Sequence, residues 1–272
     1  MNRQQFKAKT IIITGATAGI GRSLAIQLAE LGAHVVLAAR NLERLNEVAA
    51  ECQKKQAKVL VVQTDVAKKT DCQHLIEQTV NTFGGIDILI NNAGVSMWAL
   101  FDEITDVSML ETIMQVNFFG SLYCTHYALP YLKKSKGLIV GVSSTIGKVP
   151  IPTRSGYAAS KFAMRGFFDV LRNELEDDGV GVTMIYPGFI ATEVRERALG
   201  SDGKPLGKSP LNESRGMSAD ACAKGIIKAM RKRQRACNLP MDAKIIIFLN
   251  TFFPVLTAKL TKKIMTSQAA HK

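Results

Sequence analysis

Ile11-Ile12-Ile13-Thr14-Gly15-Ala16-Thr17-Ala18-Gly19-Ile20-Gly21-Arg22 begins as an apolar β-branched run and breaks into three glycines before a helical pattern sets in. A short isoleucine run without polar alternation suits a strand covered on both faces. Glycines placed after such a strand permit a tight turn. They also let the backbone approach a pyrophosphate, which then sits at the positive N-terminus of the following helix. The spacing is Gly-x-x-x-Gly-x-Gly rather than Gly-x-Gly-x-x-Gly. Turns use glycine anyway, so the weight comes from the position between a first strand and a first helix.

Outward from this loop, Thr10–Thr14, His34–Ala39, Lys58–Val62, Ile86–Ile90, Gly137–Ser143 and Val180–Tyr186 read as short buried strands. Helical patterns fill the gaps at Arg22–Leu31, Leu42–Lys55, Thr70–Phe83 and Tyr157–Glu176. Repeated β-α-β units predict an α/β fold with a doubly wound parallel sheet (a Rossmann fold) and right-handed crossovers. One dinucleotide-binding and catalytic domain is expected over residues 1–241, followed by a basic amphipathic C-terminal helical extension over 242–272.

The bulk composition fits this. With 272 residues, 47% hydrophobic and 21% charged, the chain has ordinary globular composition, which excludes disorder. Five scattered cysteines without a CxxC pair point to reduced thiols and a cytoplasmic setting. No His/Cys cluster has ligand spacing, so no metal is expected. Met1–Lys9 lacks the apolar core of a signal peptide, and no stretch is long enough to span a bilayer. The net charge of +12 is unevenly placed: Lys224 to Lys272 hold eleven Lys/Arg against one acid, Asp242. A partner that wants positive charge should meet that end.

The end of the second predicted strand bears on cofactor choice. Dinucleotide folds that use NAD place an acid there for the ribose hydroxyls. Here the place is taken by Ala39-Arg40. A guanidinium can grip a 2′-phosphate that a carboxylate would repel, and Arg22 could assist. The bland reading of Arg40 is a solvated residue at a helix start. NADP(H) is the expected cofactor.

Further on, Tyr157-Ala-Ala-Ser-Lys161 places a phenol and an ammonium four residues apart on one helix face. A neighbouring cation favours phenolate and brings a weak base toward the working range. Val142-Ser143-Ser144 ends a strand, where ligands gather in open α/β sheets, and a hydroxyl there can bond a reacting oxygen. Successive strand residues face opposite ways, so only one of the two serines should reach a substrate.

With these segments in order, the chain resembles the short-chain dehydrogenase/reductase family over roughly residues 7–235. The resemblance makes Gly15, Thr17, Gly19, Ile20 and Gly21 the cofactor loop, with Arg22 beside it. Asp65-Val66 matches the adenine-side acid and its neighbour, and Asn91-Asn92-Ala93-Gly94 the segment after the fourth strand. Pro187-Gly188-x-Ile190-x-Thr192 matches the nicotinamide-side motif. Asn117, Ser144, Tyr157 and Lys161 match the catalytic set, Ser144 being chosen by its spacing thirteen positions before the tyrosine. The family's mechanism then implies that Tyr157 transfers the proton and Lys161 lowers its pKa and holds the nicotinamide ribose. Ser144 would polarise the substrate oxygen, and Asn117 would position a water linking Lys161 to solvent. Ala18, before the second glycine, is not basic as in one NADP pattern, so Arg40 must carry most of the selectivity.

Two segments lie beyond that core. Residues 193–217, rich in Gly, Pro, Ser and charge, read as a substrate lid. In the tail, Leu249, Phe252, Phe253, Leu256, Leu260 and Ile264 fall at helical spacing, with Asn250, Thr257, Lys262 and Lys263 off the stripe. Pro254 should break or kink the helix. Such a stripe suits an interfacial helix on an anionic membrane, or else packs on the core or on a second subunit of a homo-oligomer. The tail is similar to those of membrane-associated hydroxysteroid and acyl/alkyl-dihydroxyacetone-phosphate reductases. Nucleic-acid binding is not expected, since no recognition motif accompanies the charge.

The expected activity is NADPH-dependent hydride transfer to a lipophilic carbonyl, such as a steroid, retinoid or lipid ketone. The place of work would be the cytoplasm or the cytoplasmic face of a membrane. The alternatives are a soluble 3-oxoacyl reductase and a dinucleotide sensor without catalysis.

Overall fold

Thr10–Thr14 (β1) is buried along its whole length and lies near the middle of a seven-stranded sheet. The computed structural model that contains it describes residues 5–269. In chain order there follow α1 (Gly19–Glu30), β2 (His34–Ala39), α2 (Leu42–Gln53), β3 (Val59–Gln63), α3 (Lys69–Phe83) and β4 (Ile88–Asn91). Next come α4 (Ser108–Met114), α5 (Gly120–Ser135), β5 (Leu138–Val142), α6 (Ser155–Glu174) and β6 (Gly181–Pro187). Two short strands, β7 (Ile190–Ala191) and β8 (Met217–Ser218), pair with each other before α7 (Ala219–Arg231) and β9 (Ala236–Leu239).

The strand order is β3-β2-β1-β4-β5-β6-β9, and every pairing is parallel. The chain leaves β1 for β2 on one side and later returns to β4 on the other. The carboxyl ends of β1 and β4 therefore flank a switch point, where open α/β sheets bind ligands. Two apolar layers hold the sheet. Leu24, Leu28, Leu45, Val48, Ile226 and Ile227 from α1, α2 and α7 pack on one face. Leu75, Ile76, Cys124, Leu132, Phe168 and Leu171 from α3, α5 and α6 pack on the other.

The six predicted strands are all present, with ends displaced by a residue or two where burial does not stop at the last β-branched side chain. The first helix begins at Gly19, three residues earlier than its apolar pattern, so the second and third glycines form its first turn. The edge strand β9 was not expected. Arg235 and Pro240 frame it, and Ala236-Cys-Asn-Leu lacks the apolar run of the others. The five cysteines are unpaired.

Past β9 the chain forms α8 (Met241–Phe252) and α9 (Pro254–Ala269). Pro254 ends one helix and starts the next, at the position where a missing N–H costs nothing. Ala243 is buried, and Asn250 Nδ2 donates to the Lys148 carbonyl at 3.0 Å, which ties α8 to the loop after β5. Burial in this pair of helices is inverted. Thr257 and Thr261 are buried, whereas Ile245, Phe248, Phe252, Phe253, Leu256 and Leu260 are exposed. Leu249, the first residue of the stripe, is half-buried, and its exposed members do not pack on this chain's own core. The side chain of Ile264, counted in that stripe, lies outside the described residues. Among the described residues no helix is long and apolar enough to cross a membrane.

Candidate active site

A cavity of about 840 Å³ opens over the carboxyl ends of β1, β4 and β5, running from Arg40 to Leu199 and Pro205. At one end lies the glycine loop. Gly15 has φ +67°, and a Cβ there would stand 2.9 Å from the Ala93 Cα. A Cβ on Gly21 would fall 2.2 Å from the Gly15 carbonyl oxygen, so the third glycine serves the turn from behind and does not line the cavity. Thr14 Oγ1 accepts from the backbone N–H groups of Asn92 and Ala93 at 3.0 and 3.1 Å. Asn92 Nδ2 donates to the carbonyls of Thr14 and Gly15. The loop is thus fixed before any ligand arrives. Above it, α1 has no side-chain cap and no acid in its first turn, which leaves N–H groups that a phosphate can satisfy. These features fit the pyrophosphate of a dinucleotide.

Thr17, Gly19, Ile20, Arg40, Asp65, Val66, Ala93 and Gly94 also line this part of the cavity. Arg40 is exposed, and among the described residues no ion pair engages its guanidinium. Arg44 and Arg197 stand in the same wall, and both pair with Glu193. Two expected residues face elsewhere. Arg22 binds both carboxylate oxygens of Glu51 at 2.7 Å, because α2 brings that acid alongside α1. Asn91 is buried on the opposite face of its strand and donates to Thr125 Oγ1 at 3.0 Å. Its neighbour Asn92 takes the cavity side. The alternation that separates Ser143 from Ser144 separates these two as well, and applied here it would have named Asn92.

At the other end, α6 carries Tyr157 and Lys161 into the wall, and β5 ends in Ser143 and Ser144. Ser144 faces the Tyr157 phenol closely enough to favour its ionised form, whereas the Ser143 hydroxyl donates to the Lys161 carbonyl at 3.3 Å. Lys161 Nζ donates to the Val142 carbonyl at 3.0 Å and lies 5.7 Å from the Tyr157 ring centroid. Burial pushes this ammonium down to about 8. Burial also pushes the Tyr157 phenol up, against Ser144 and the cations Arg154 and Arg195, which favour phenolate. The groups acting on the phenol here are therefore not led by Lys161.

Asn117 does not line the cavity. It sits, fully buried, in a π-helical turn over Gln115–Phe119 that joins α4 to α5. Its Oδ1 accepts from Val95 N–H at 2.7 Å, and its Nδ2 donates to the Val95 carbonyl and to Ser160 Oγ, both at 2.9 Å. Through these three bonds the side chain braces Ser160, the residue before Lys161. Pro187, Gly188, Ile190 and Thr192 border the cavity after β6. Pro187 accepts from the hydroxyls of Ser144 and Thr145. Leu199, in the 193–217 segment, exchanges backbone hydrogen bonds with Ser96 and Trp98 over the cleft. Arg154 and Arg195, both buried in this wall, were not singled out in the sequence, where each is one basic residue in a loop.

This constellation has relatives. The family model described as short chain dehydrogenase matches residues 9–201, from β1 through the glycine loop, Ser144, Tyr157 and Lys161 to the segment after β7. The chain belongs to the short-chain dehydrogenase family. It is an oxidoreductase of that family, acting on alcohol or carbonyl groups. This dehydrogenase is 35% identical over 261 residues to 11-beta-hydroxysteroid dehydrogenase-like 4A of Arabidopsis thaliana, covering 96% of this chain and 86% of the relative. An alcohol dehydrogenase from Thermococcus sibiricus, solved with 5-hydroxy-NADP, is 26% identical. It superposes with a TM-score of 0.74 over 86% of this chain and 96% of its own. A short chain dehydrogenase/reductase from Burkholderia phymatum, in complex with NAD, superposes with a TM-score of 0.83. That likeness covers 93% and 96% of the two chains at 23% identity and speaks for the fold alone.

Proposed function

We propose that this dehydrogenase is an NADPH-dependent reductase of a lipophilic carbonyl. The observation that carries the cofactor choice is Arg40, a cavity-lining guanidinium with no ion pair among the described residues, where an acid would hold ribose hydroxyls. Arg44 and Arg197, sharing the single carboxylate of Glu193, leave this end of the cleft positive. Both features favour a 2′-phosphate.

Bound there, the dinucleotide would supply the hydride. Tyr157 gives its phenolic proton to the carbonyl oxygen. A phenol with the ordinary tyrosine pKa of about 10 is protonated at neutral pH and so carries the proton that reduction needs. Ser144 donates a hydrogen bond to the same oxygen as charge grows on it. Lys161 favours the phenolate that remains, and Asn117 fixes the helix turn that carries it. Residues 193–217 cover the substrate. Its lipophilic character is supported by a cavity mouth that includes Leu199 and Pro205, and by the hydroxysteroid dehydrogenase name of the plant relative.

The test is titration with both dinucleotides. Arg40→Ala should weaken NADPH by about 1.5–3 kcal/mol, as for a lost charge-assisted contact, and NADH by much less. Equal losses for both would reject Arg40 as the discriminating residue.

The exposed apolar face of α8 and α9 supports a second proposal, that this end of the protein rests on an anionic membrane. Ile245, Phe248, Phe252 and Leu256 face outward, with Lys244 and Lys259 exposed beside them. Apolar insertion and about 1 kcal/mol per basic residue near such a surface would act together. The protein should co-sediment with phosphatidylserine vesicles, less so in high salt, and less again as Phe248→Ser/Phe252→Ser. A homodimer that ignores vesicles and is split by those substitutions would assign the face to a second copy.

A further inference from the structure

We propose that the reacting end of the cleft takes a substrate bearing an anionic group, a carboxylate or a phosphate, and that Arg154 is its partner. The inference rests on Tyr157 marking the reacting end and adds to the lipophilic carbonyl an acidic group within reach of it.

Arg154 immediately precedes α6 and is 6% exposed, yet it lines the cavity. Its Nη1 donates to Ser96 Oγ at 2.9 Å and to the Met97 carbonyl. One face of the guanidinium lies against the Trp98 ring, 3.9 Å from the centroid. Nε has no hydrogen-bond partner. Among the described residues no carboxylate pairs with it. Burial lowers this guanidinium to about 10, which leaves it charged at neutral pH.

Arg195 makes the contrast. It is also buried in the cavity wall, but Glu213 takes its Nε and Nη2 at 2.7 and 2.9 Å, and Phe189 covers its face. Both cations act on the Tyr157 phenol, and only one has its anion. A buried arginine without a counter-ion is rare and costly. A neutral backbone carbonyl, a serine and an aromatic face hold Arg154 in a fixed orientation without neutralising it. The anion that completes this site must come from the cavity. Carboxylate and phosphate both match a guanidinium edge.

Trp98 is the single tryptophan of the chain and stacks on Arg154, so its fluorescence reports occupancy without turnover. Decanoate and decyl phosphate should each perturb that emission at concentrations where decanamide does not; the stronger of the two names the preferred anion. In turnover with NADPH, medium-chain keto acids should have kcat/KM at least about tenfold above their methyl esters. Arg154→Gln should raise KM for the acids about 10–100-fold more than for the esters, and Arg154→Lys should recover part of that gap. Equal kcat/KM for acids and esters in the wild type, with emission blind to both anions, overturns the subsite and leaves carbonyl reduction standing. A loss of kcat in Arg154→Gln that is equal for acids and esters, with a displaced pH profile, overturns it too and makes Arg154 a support for Tyr157. If no ketone is reduced while decanoate still perturbs Trp98, the subsite holds and the reductase reading falls. The wild-type arms decide the matter even if Arg154→Gln does not fold.

Discussion

The two ends of the cleft are built on opposite principles. At the glycine-loop end the fixed contacts come from backbone groups and neutral side chains: Thr14 and Asn92 answer each other's polar atoms, and α1 offers uncapped N–H groups. The reacting end adds buried charges to its hydroxyls. Lys161 donates to the Val142 carbonyl, and Arg154 to a serine and a carbonyl. The first end can wait for a ligand at little cost to the fold. The second holds ionised groups out of water, a burden on stability that survives where function requires it.

The largest expected effect tests whether the second end does the chemistry. Tyr157→Phe should lower kcat for carbonyl reduction by about 10²–10⁴-fold, the usual loss for a removed general acid. The dinucleotide dissociation constant should stay within a few-fold, because the glycine-loop end is untouched. Near-wild-type turnover in this variant would erase the contrast between the ends.

A smaller effect, opposite in sign for stability, sharpens it. A lysine whose folded pKa is depressed binds fewer protons folded than unfolded at intermediate pH. Its destabilising effect is complete below the folded value and is relieved as pH rises toward the unfolded one. For Lys161 that window runs from about 8 up to the ordinary 10.5. Lys161→Met should therefore abolish most turnover yet raise stability at pH 7, by on the order of 3 kcal/mol. The gain should shrink between pH 8 and 10.5. Thermal melts of both proteins across that range check it; a variant less stable at pH 7 would show that the ammonium is well satisfied.

The first end was legible in the sequence because local chemistry decides it. An apolar β-branched strand, glycines at the turn and a helix in direct succession leave few structures open, and Gly15, Thr17 and Gly19 stand where that succession puts them. Contacts between distant elements were less legible. Nothing near Arg22 announces that Glu51 will capture it, since the pairing depends on how α2 lies beside α1. Arg154 and Arg195 look like ordinary loop arginines until the fold buries them. In the tail the hydrophobic period was readable, but not whether the stripe faced inward, because burial of Thr257 and Thr261 is settled by α8 and α9 meeting each other. The edge strand β9 escaped notice for a related reason: β6 supplies the pairing that Ala236–Leu239 would not hold alone.

The all-parallel sheet also imposes an order in time. As the chain leaves the ribosome, Ile11–Ile13 can pair with Val35–Leu37 early, but their other edge stays open until Ile88–Ile90 have been made. The strand that carries the glycine loop is thus made before both of its neighbours and completes its hydrogen bonding only after β2, β3 and their helices exist. Contacts this far apart close slowly, and an uncovered isoleucine strand is a target for wrong partners in the interval. The β1 segment that organises the finished cleft is, during synthesis, the one most in need of protection.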